Sequence, residues 1–171
     1  GDDASPRAIV IDSRDKYAYI SDARMGIIYV IDVDATSSKY HQLVEKIQVE
    51  PAPFGLREMA ISSDGRRLFV AAPSISNPYA IEKEKSQVIV VNVDSKDRPL
   101  NESRNEKNWH KQIGRVDAER KVEGISATPD PKKILFTNPQ KDFKGFGVLE
   151  IIEDEPDNFV ANTRFTDLRL G

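Results

Sequence analysis

Short apolar blocks, separated by polar turn-forming residues, follow one another along this chain. In one such unit the blocks at residues 59–61 and 68–70 lie on either side of a Ser-Asp-Gly turn at residues 63–65. Each block is too short for a helix that could bury an apolar stripe. A turn of this composition between two apolar blocks is typical of a β-hairpin. The pattern therefore predicts paired β-strands.

The same hairpin pattern occurs three times in the chain. Residues 11–20 and 127–136 fit the template of residues 61–70 without a gap. Asp12, Ser62 and Thr128 are equivalent, so the repeats are offset by 50 residues and then by 66. Repeats of roughly 40–60 residues that each contain four strands are typical of β-propeller blades. We therefore expect an all-β protein built from propeller blades.

Each repeat is predicted to form a four-stranded antiparallel sheet. The expected strands are 8–12, 17–21, 27–34 and 41–50 in the first repeat, 58–62, 68–72, 88–94 and 112–118 in the second, and 124–128, 134–138, 147–152 and 159–170 in the third. We expect strand 8–12 to be buried and strand 41–50 to be half-buried, with Leu43, Glu45, Ile47 and Val49 on one face. The whole chain, 1–171, is then a single propeller region with blades at about 8–50, 54–118 and 123–170.

Composition and charge exclude several classes of protein. The chain has 25 basic and 28 acidic residues and a formal net charge of −3, without the basic stripe that binds nucleic acid. No apolar run approaches the roughly 20 residues that span a bilayer, so membrane insertion is not expected. The absence of cysteine excludes disulfides, thiolate metal sites and a cysteine nucleophile. With only His41 and His110, a histidine-based catalytic triad is not indicated.

The repeats resemble the YVTN-type β-propeller repeats of the lactonase-like and surface-layer propeller superfamily. The Tyr-Val-Thr-Asn run of that family corresponds here to residues 19–22, 69–72 and 135–138, each an imperfect copy. The turn before it is matched best at residues 62–65, and the strand after it at residues 26–32. The resemblance covers nearly the whole chain and implies architecture more than activity, because members include structural surface proteins, scaffolds and enzymes.

Three blades are fewer than a closed ring requires. Closed propellers have at least about four blades, and members of the family commonly have about six or seven. Two blade faces would therefore be exposed. The chain is expected to be a fragment of a longer propeller, or half of a six-bladed ring that a homodimer closes, or an open arc capped by a neighbour.

Propeller geometry places the loops between second and third strands on the same face as the connections between blades. Charged residues at these positions converge on the central channel, as in a site for a small ligand or a peptide. The candidate ligand-binding residues are Arg7, Asp22, Arg24, Arg57, Glu58, Tyr79, Glu123 and Asn138. The same charged residues would also serve as solvated loop charges and turn caps, and Tyr79 as a packing residue.

Two polar insertions, 73–87 and 95–111, are the long loops of the second repeat. The first belongs to the face just described, and the second to the opposite face. Trp109 and His110 end the second insertion. They would form a protein-contact patch, or the tryptophan would anchor its own loop.

The preferred function is a non-enzymatic binding or scaffold module that presents loops to a protein or small ligand. The resemblance further implies an exported, periplasmic or cell-surface protein. It also implies two alternatives, an architectural surface-protein repeat and a lactonase-like hydrolase with a divalent cation such as calcium. Glu58, Glu123 and Asn138 are residue types that hold such an ion, although no motif specifies them and no cofactor is the main expectation.

Overall fold

The structure is a computed structural model that describes residues 3–14, 16–50, 55–73, 86–97, 108–118, 122–137 and 145–167. The strands are β1 (Pro6–Ile11), β2 (Tyr17–Asp22), β3 (Ile27–Asp32), β4 (Leu43–Gln48), β5 (Met59–Ile61), β6 (Arg67–Ala72), β7 (Ser86–Asn92), β8 (Gln112–Ala118), β9 (Ile125–Ala127), β10 (Lys133–Thr137), β11 (Gly145–Glu155) and β12 (Asn158–Asp167). A 3-10 turn, Ser95–Asp97, follows β7.

These strands form three four-stranded antiparallel sheets. Their orders are β1-β2-β3-β4, β5-β6-β7-β8 and β9-β10-β11-β12, which we call blades 1, 2 and 3. The first strands of the blades are neighbours in space, β1 beside β5 and β5 beside β9. The predicted fold class, a partial β-propeller built from antiparallel blades, is confirmed.

Blade 2 lies between the other two blades and is covered on both faces. Every residue of β6 and β7 is buried. Because side chains alternate along a strand, β6 contributes to two separate cores. Leu68 and Val70 pack with blade 1, whereas Phe69 and Ala71 pack with blade 3. This arrangement explains why residues 68–72 of β6 and 88–91 of β7 are apolar without alternation.

Blades 1 and 3 are each covered on one face. On β1, Val10 packs into the core shared with blade 2, while Ile9 is 61% exposed and Ile11 is 53% exposed. On β10, Ile134 is buried and Leu135 is 37% exposed. The expectation that residues 8–12 form a buried strand is therefore wrong for one face of it, since nothing in the described chain lies against that face.

The outermost strand of blade 1 also differs from its expectation. Ile47 and Val49 are buried as a half-buried strand requires, but Leu43 and Glu45 are exposed. A register shift between Val30 and Ile31, where β3 pairs with β4, lies level with the start of β4. In blade 3, β11 is longer than the predicted strand 147–152, whereas β12 begins one residue before the predicted strand 159–170. A short turn at residues 156–157 joins them.

Two glycines permit close packing between or within blades. A Cβ on Gly147 would overlap the ring of Phe136, which fills the core between blades 2 and 3. A Cβ on Gly114 would overlap the ring of Phe159 from blade 3. Neither glycine needs an unusual backbone angle; the missing side chain makes room for an aromatic ring.

The arc has two faces that are distinguished by which chain connections they carry. On the upper face, the ends of β2 and β6 meet the segments that lead into the next blade, as Leu56 N donates to Asp22 O at 3.0 Å. On the lower face, the turns after β1, β5 and β9 meet the segments after β3 and β7. No helix in the described residues has the length and apolar character needed to cross a membrane.

Candidate functional site

Three of the predicted ligand-binding residues occupy one repeated position on the upper face. Arg7, Arg57 and Glu123 are each the fifth residue before the equivalent turn positions Asp12, Ser62 and Thr128. Each therefore precedes the innermost strand or begins it. Arg7 is exposed, and Arg57 and Glu123 are partly exposed. The three blades thus present two guanidinium groups and one carboxylate at the same end of adjacent inner strands.

Serine hydroxyl groups fix the backbone beneath these charges. Ser21 Oγ accepts a hydrogen bond from Ala8 N at 3.1 Å and donates to Arg57 O at 2.9 Å. Ser86 Oγ accepts from Val122 N at 2.8 Å, one residue before Glu123. Each serine therefore joins one blade to the segment that leads into the next blade, and the charged side chains project from a fixed frame.

Asp22 belongs to this frame and not to a free ligand-binding surface. Its carboxylate accepts hydrogen bonds from Ser5 N, Arg24 N, Met25 N and Tyr29 Oη, at 2.7 to 3.2 Å. Burial opposes ionisation of this group, but the hydrogen bonds outweigh burial and hold the pKa of Asp22 below its ordinary value. The carboxylate closes the turn after β2, so its oxygens are already occupied.

Arg24 and Glu58 are exposed on the same face. Arg24 lies in the turn that Asp22 closes, and Glu58 precedes β5. Tyr79 and Asn138 lie outside the described residues. The structure therefore brings Arg7, Arg57 and Glu58 to adjacent strand ends of blades 1 and 2.

The residues named for a divalent cation do not complete a site in the described part of the chain. Glu58 and Glu123 precede the innermost strands of neighbouring blades, and Asn138 falls outside it. No group of three or more His, Asp or Glu side chains that could hold a metal ion occurs among the described residues. Two carboxylates supply at most four oxygens, fewer than the roughly six to eight that calcium takes.

A buried arginine that sequence reasoning missed joins blade 2 to blade 3 on the lower face. Arg67, 1% exposed, donates from Nε to Asp154 Oδ1 at 2.5 Å and from Nη2 to Asp154 O at 2.8 Å. Its Nη1 donates to Asn92 Oδ1 at 2.6 Å. The neighbouring Arg66 bridges Asp94 and Asp154, at 2.8 and 3.0 Å. The sequence did contain a signal for this contact, because Arg67 begins β6 at the position where Tyr17 begins β2.

A second contact that sequence reasoning did not predict joins blade 1 to blade 2 through His110. His110 is 4% exposed, with Nε2 at 3.0 Å from Tyr19 Oη and Nδ1 at 2.5 Å from Glu45 Oε2. Burial, together with the charge of Asp12, raises the pKa of Tyr19 far above its ordinary value, so its hydroxyl keeps its proton. In the neutral imidazole, Nδ1 then donates to the carboxylate of Glu45 and Nε2 accepts from Tyr19.

Trp109 and His110 therefore anchor a contact between blades. The Trp109 ring stacks on His110, with ring centroids 4.1 Å apart, and meets Tyr17 of blade 1 edge-on at 6.3 Å. The sequence predicted either an external contact patch or an anchor for the pair's own loop. The contact with blade 1 is a third arrangement that neither expectation included. The interaction could not be found from spacing because Tyr19 and His110 are 91 residues apart.

A small cleft lies beside this contact on the lower face. It has a volume of about 220 Å³ and is lined by Asp12, Arg14, Lys16, Tyr17, Ser95 and Trp109. Asp12 accepts hydrogen bonds from Arg14 N and Lys16 N, and Lys16 pairs with Asp34 at 3.3 Å. The carboxylate of Asp12 and the ammonium of Lys16 are thus engaged within the turns that form the cleft.

The sheets, their order and the packing of their first strands define an arc of a β-propeller. Solved structures agree with this class. The chain aligns with Hsv2 of Kluyveromyces marxianus over 96% of its own length and 50% of that chain, with TM-score 0.64 and 14% identity. It aligns with a putative 6-phosphogluconolactonase from Bacteroides uniformis over 96% of its length and 44% of that chain, with TM-score 0.61 and 15% identity.

A third similar structure is the β-propeller domain of Cps50 (Swd1) from Myceliophthora thermophila, with TM-score 0.58 and 11% identity over 94% of this chain and 39% of that one. The chain thus spans half or less of the length of these structures. At these identities the likeness shows the fold alone. No family model and no curated protein sequence matches the chain.

Proposed function

We propose that this chain is part of a non-enzymatic β-propeller module that binds another protein or a small ligand at its upper face. One observation carries the proposal. Arg7, Arg57 and Glu123 occupy the same position of the three blades, where their side chains are accessible and their backbone is fixed by Ser21 and Ser86. Fixed backbone beneath convergent charges reduces the ordering that a ligand would otherwise require.

The distribution of charge favours a protein segment with an acidic group. Blades 1 and 2 carry a net positive cluster, Arg7, Arg24 and Arg57 with the carboxylate of Glu58, whereas Glu123 lies at blade 3. An anionic group is attracted to the first cluster, and guanidinium groups bind carboxylates with directed hydrogen bonds. Structural neighbours include WD40-repeat proteins as well as a lactonase-like enzyme, and the WD40 likeness supports a protein-binding role.

A titration with an acidic peptide tests the proposal. We expect a short peptide that alternates Asp and Gly to shift the amide NMR signals of residues 7 and 57, and R7Q/R57Q to abolish the shifts. The matched control is R164Q, an exposed arginine of blade 3 whose loss leaves the shifts in place. Shifts confined to the lower face, or none at concentrations up to about 1 mM, would contradict the proposal.

The enzymatic and architectural alternatives are separable on the same sample. A lactonase-like hydrolase requires an ion at the channel, so calcium addition would shift the amide signals of Glu58 and Glu123 and raise the melting temperature. A purely architectural repeat predicts that R57A/E58A changes neither peptide binding nor stability by more than about 0.5 kcal/mol. The binding role predicts lost peptide binding for R57A/E58A and no response to calcium.

We further propose an exported, periplasmic or cell-surface location, which rests on the resemblance to surface-layer propellers. Detection of the protein in extracellular or periplasmic fractions tests it. Whichever location is correct, the exposed flanks of blades 1 and 3 need cover. Further blades of the same ring would provide it, and a homodimer that closes a ring is the competing arrangement, which the mass of the chain in solution tests.

A further inference from the structure

His41 and His110 occupy equivalent corners, just before the outermost strands of blades 1 and 2. His41 N donates to Asp32 O at 2.8 Å, and His110 N donates to Asn92 O at 3.0 Å. Both residues have left-handed backbone angles, with φ of 62° and 54°. Residues other than glycine rarely adopt these backbone angles, and those that do are held there by surrounding contacts. Blades 1 and 2 therefore share a histidine with a left-handed backbone at the same position of the repeat.

The residues around each corner also correspond. Tyr40 stacks on His41 with ring centroids 3.7 Å apart, as Trp109 stacks on His110 at 4.1 Å. The strand that follows each pair has a register shift at the same place, opposite Val30 in blade 1 and opposite Val90 in blade 2. We call Tyr40–His41 the blade 1 latch and Trp109–His110 the blade 2 latch.

The two latches differ in their surroundings. The blade 2 latch is engaged, since His110 is 4% exposed and contacts Tyr19 and Glu45 of blade 1. The blade 1 latch is open, with Tyr40 44% exposed and His41 exposed. By the equivalence of the two corners, the blade 1 latch faces away from blade 2, towards the position of the blade that would precede blade 1 in a ring.

The surface beside the open latch repeats a surface that blade 2 buries. Ile9 is equivalent to Met59 through pairing with the equivalent residues Ile20 and Val70. Met59 is 5% exposed against blade 1, whereas Ile9 is 61% exposed. The blade 1 flank consists of Ile9, Ile11, Ile20, Tyr29, Ile31 and Leu43. Lys46 pairs with Tyr29 on the same face, and its Nζ lies 5.8 Å from the centroid of the Tyr29 ring. Part of it forms an open apolar groove of about 210 Å³.

A second copy of this chain does not fit that flank in the order of a ring. It would present its blade 3, in which Leu135 and Arg164 stand at the positions of Tyr19 and Glu45. Leu135 has no hydroxyl for His41, and Arg164 is a cation where blade 1 has a carboxylate. Burial of Arg164 and its ion-pair partner Glu150 against aliphatic residues would also be costly.

We propose that the blade 1 flank docks a further propeller blade of the same ring, distinct in sequence from blade 3. That blade presents an apolar face to Ile9 and Tyr29, and a hydroxyl and a carboxylate to His41. The contact repeats the engaged latch, in which Tyr19 and Glu45 hold His110. The proposal is independent of ligand binding at the upper face.

A tandem chain provides such a blade from known sequence. Residues 3–52 are repeated once ahead of Asp3, which places a second copy of blade 1 one repeat of 50 residues upstream. The added copy then presents Tyr19 and Glu45 to the original His41. We expect amide hydrogen exchange at Tyr40, at His41 and in β1 of the original blade to slow by about tenfold or more relative to the native chain.

The matched control carries Tyr19→Phe and Glu45→Ala in the added copy alone. We expect it to lose most of the slowing at Tyr40 and His41, because the apolar contact remains while both polar partners of the latch are gone. No slowing in a tandem chain whose blades 2 and 3 keep native exchange would overturn the proposal. Equal slowing in the control would also overturn it, since the latch would then contribute nothing.

The native chain supplies a second test that does not depend on folding of an added blade. Light scattering should give the mass of a single chain, and L135Y/R164E should associate at least about tenfold more tightly than the native chain, because it places a hydroxyl and a carboxylate on blade 3. His41→Asn in that variant should restore the native mass. A native dimer that Ile9→Lys dissociates, or an L135Y/R164E variant that stays a single chain, would contradict the proposal.

Discussion

Arg67 is a charged residue that is 1% exposed at the first position of a second strand. It is equivalent to Tyr17 in blade 1 and to Lys133 in blade 3, each the first residue of a second strand. Its guanidinium is satisfied by Asp154 and Asn92, so the charge is buried but paired. The cost of desolvating two buried charges offsets their attraction, so the pair as a whole adds little stability. Removal of one partner, however, leaves the other charge buried without compensation.

We therefore expect Arg67→Ala to lower the free energy of unfolding by about 3–5 kcal/mol. Arg164→Ala, which removes an exposed ion pair with Glu150, should change it by less than about 1 kcal/mol. Chemical denaturation of the two variants measures both values. Equal and small losses would mean that Arg67 does not hold blades 2 and 3 together.

Asp22 predicts a dependence of stability on pH. Its folded pKa lies below the ordinary 3.8, so the folded state favours the carboxylate more strongly than the unfolded state does. Its contribution is thus present above pH 3.8 and is lost as the pH falls through the lower, folded pKa. Asp22→Asn should cost about 2 kcal/mol at pH 7, and the deficit should shrink as the pH falls below 3.8.

Urea unfolding of the native chain and of Asp22→Asn measures this difference in the free energy of unfolding. The measurements run from pH 7 to the lowest pH at which both proteins remain folded. A deficit that is constant across the range would show that the charge of Asp22 is irrelevant.

Turn residues were the most predictable part of the chain at this scale. Asp12, Ser62 and Thr128 were recognised as equivalent from the repeated hairpin pattern, and in the structure each closes its own turn by hydrogen bonds within five residues. Arg67 was not singled out, and the contacts of His110 with blade 1 were not predicted, because the partners of these residues lie 87 and 91 residues away. The sequence shows which residue is unusual at a repeat position, but only packing of blades shows what it contacts.

Strands were predicted well where their apolar pattern is local and less well where a neighbour decides burial. The bounds of β8 were predicted without error, and the four strands of each blade were all found. Strand β1 was expected to be buried because its sequence is apolar, but no blade among the described residues lies against its exposed face. Apolar composition therefore indicates a face that is built to be covered, whether or not the cover is present.

Gly147 gives a prediction about packing within an element. A Cβ here would overlap the ring of Phe136, which is 1% exposed and cannot move into solvent. Gly147→Ala should therefore lower the free energy of unfolding by about 1–3 kcal/mol through overpacking. Phe136→Leu shortens the side chain that clashes, so the double variant should be more stable than the sum of the single losses predicts. Additive losses would contradict the close approach.

The two latches give a matched pair of variants. Asparagine tolerates a left-handed backbone, so His→Asn removes the imidazole with little change in backbone strain. His110→Asn should lower the free energy of unfolding by about 1–3 kcal/mol, because Tyr19 and Glu45 lose their partner. His41→Asn should change it by less than about 0.5 kcal/mol in the isolated chain. Thermal or chemical unfolding measures both, and a larger effect at His41 would contradict the open latch.

At the scale of the whole molecule, the chain is an arc with one sandwiched blade and two unlike ends. The blade 1 flank is mostly apolar, with Lys46 over the ring of Tyr29, and it carries an open copy of the contact that joins blades 1 and 2. The blade 3 flank mixes Leu135 and Val148 with Lys133, Glu150 and Arg164. The number of blades was predictable from the repeat, but the difference between the two ends was not, because it depends on which face of each strand points outwards.

Amide hydrogen exchange of the native chain tests the central claim, that three blades stack with blade 2 in the middle. Protection in folded proteins rises with burial on both sides of an element. We expect the slowest exchange in β6 and β7, and exchange faster by at least about tenfold in β1, whose outer face is exposed. Slowest exchange in blade 1 or blade 3, or equal protection in all three blades, would contradict the stacked arc.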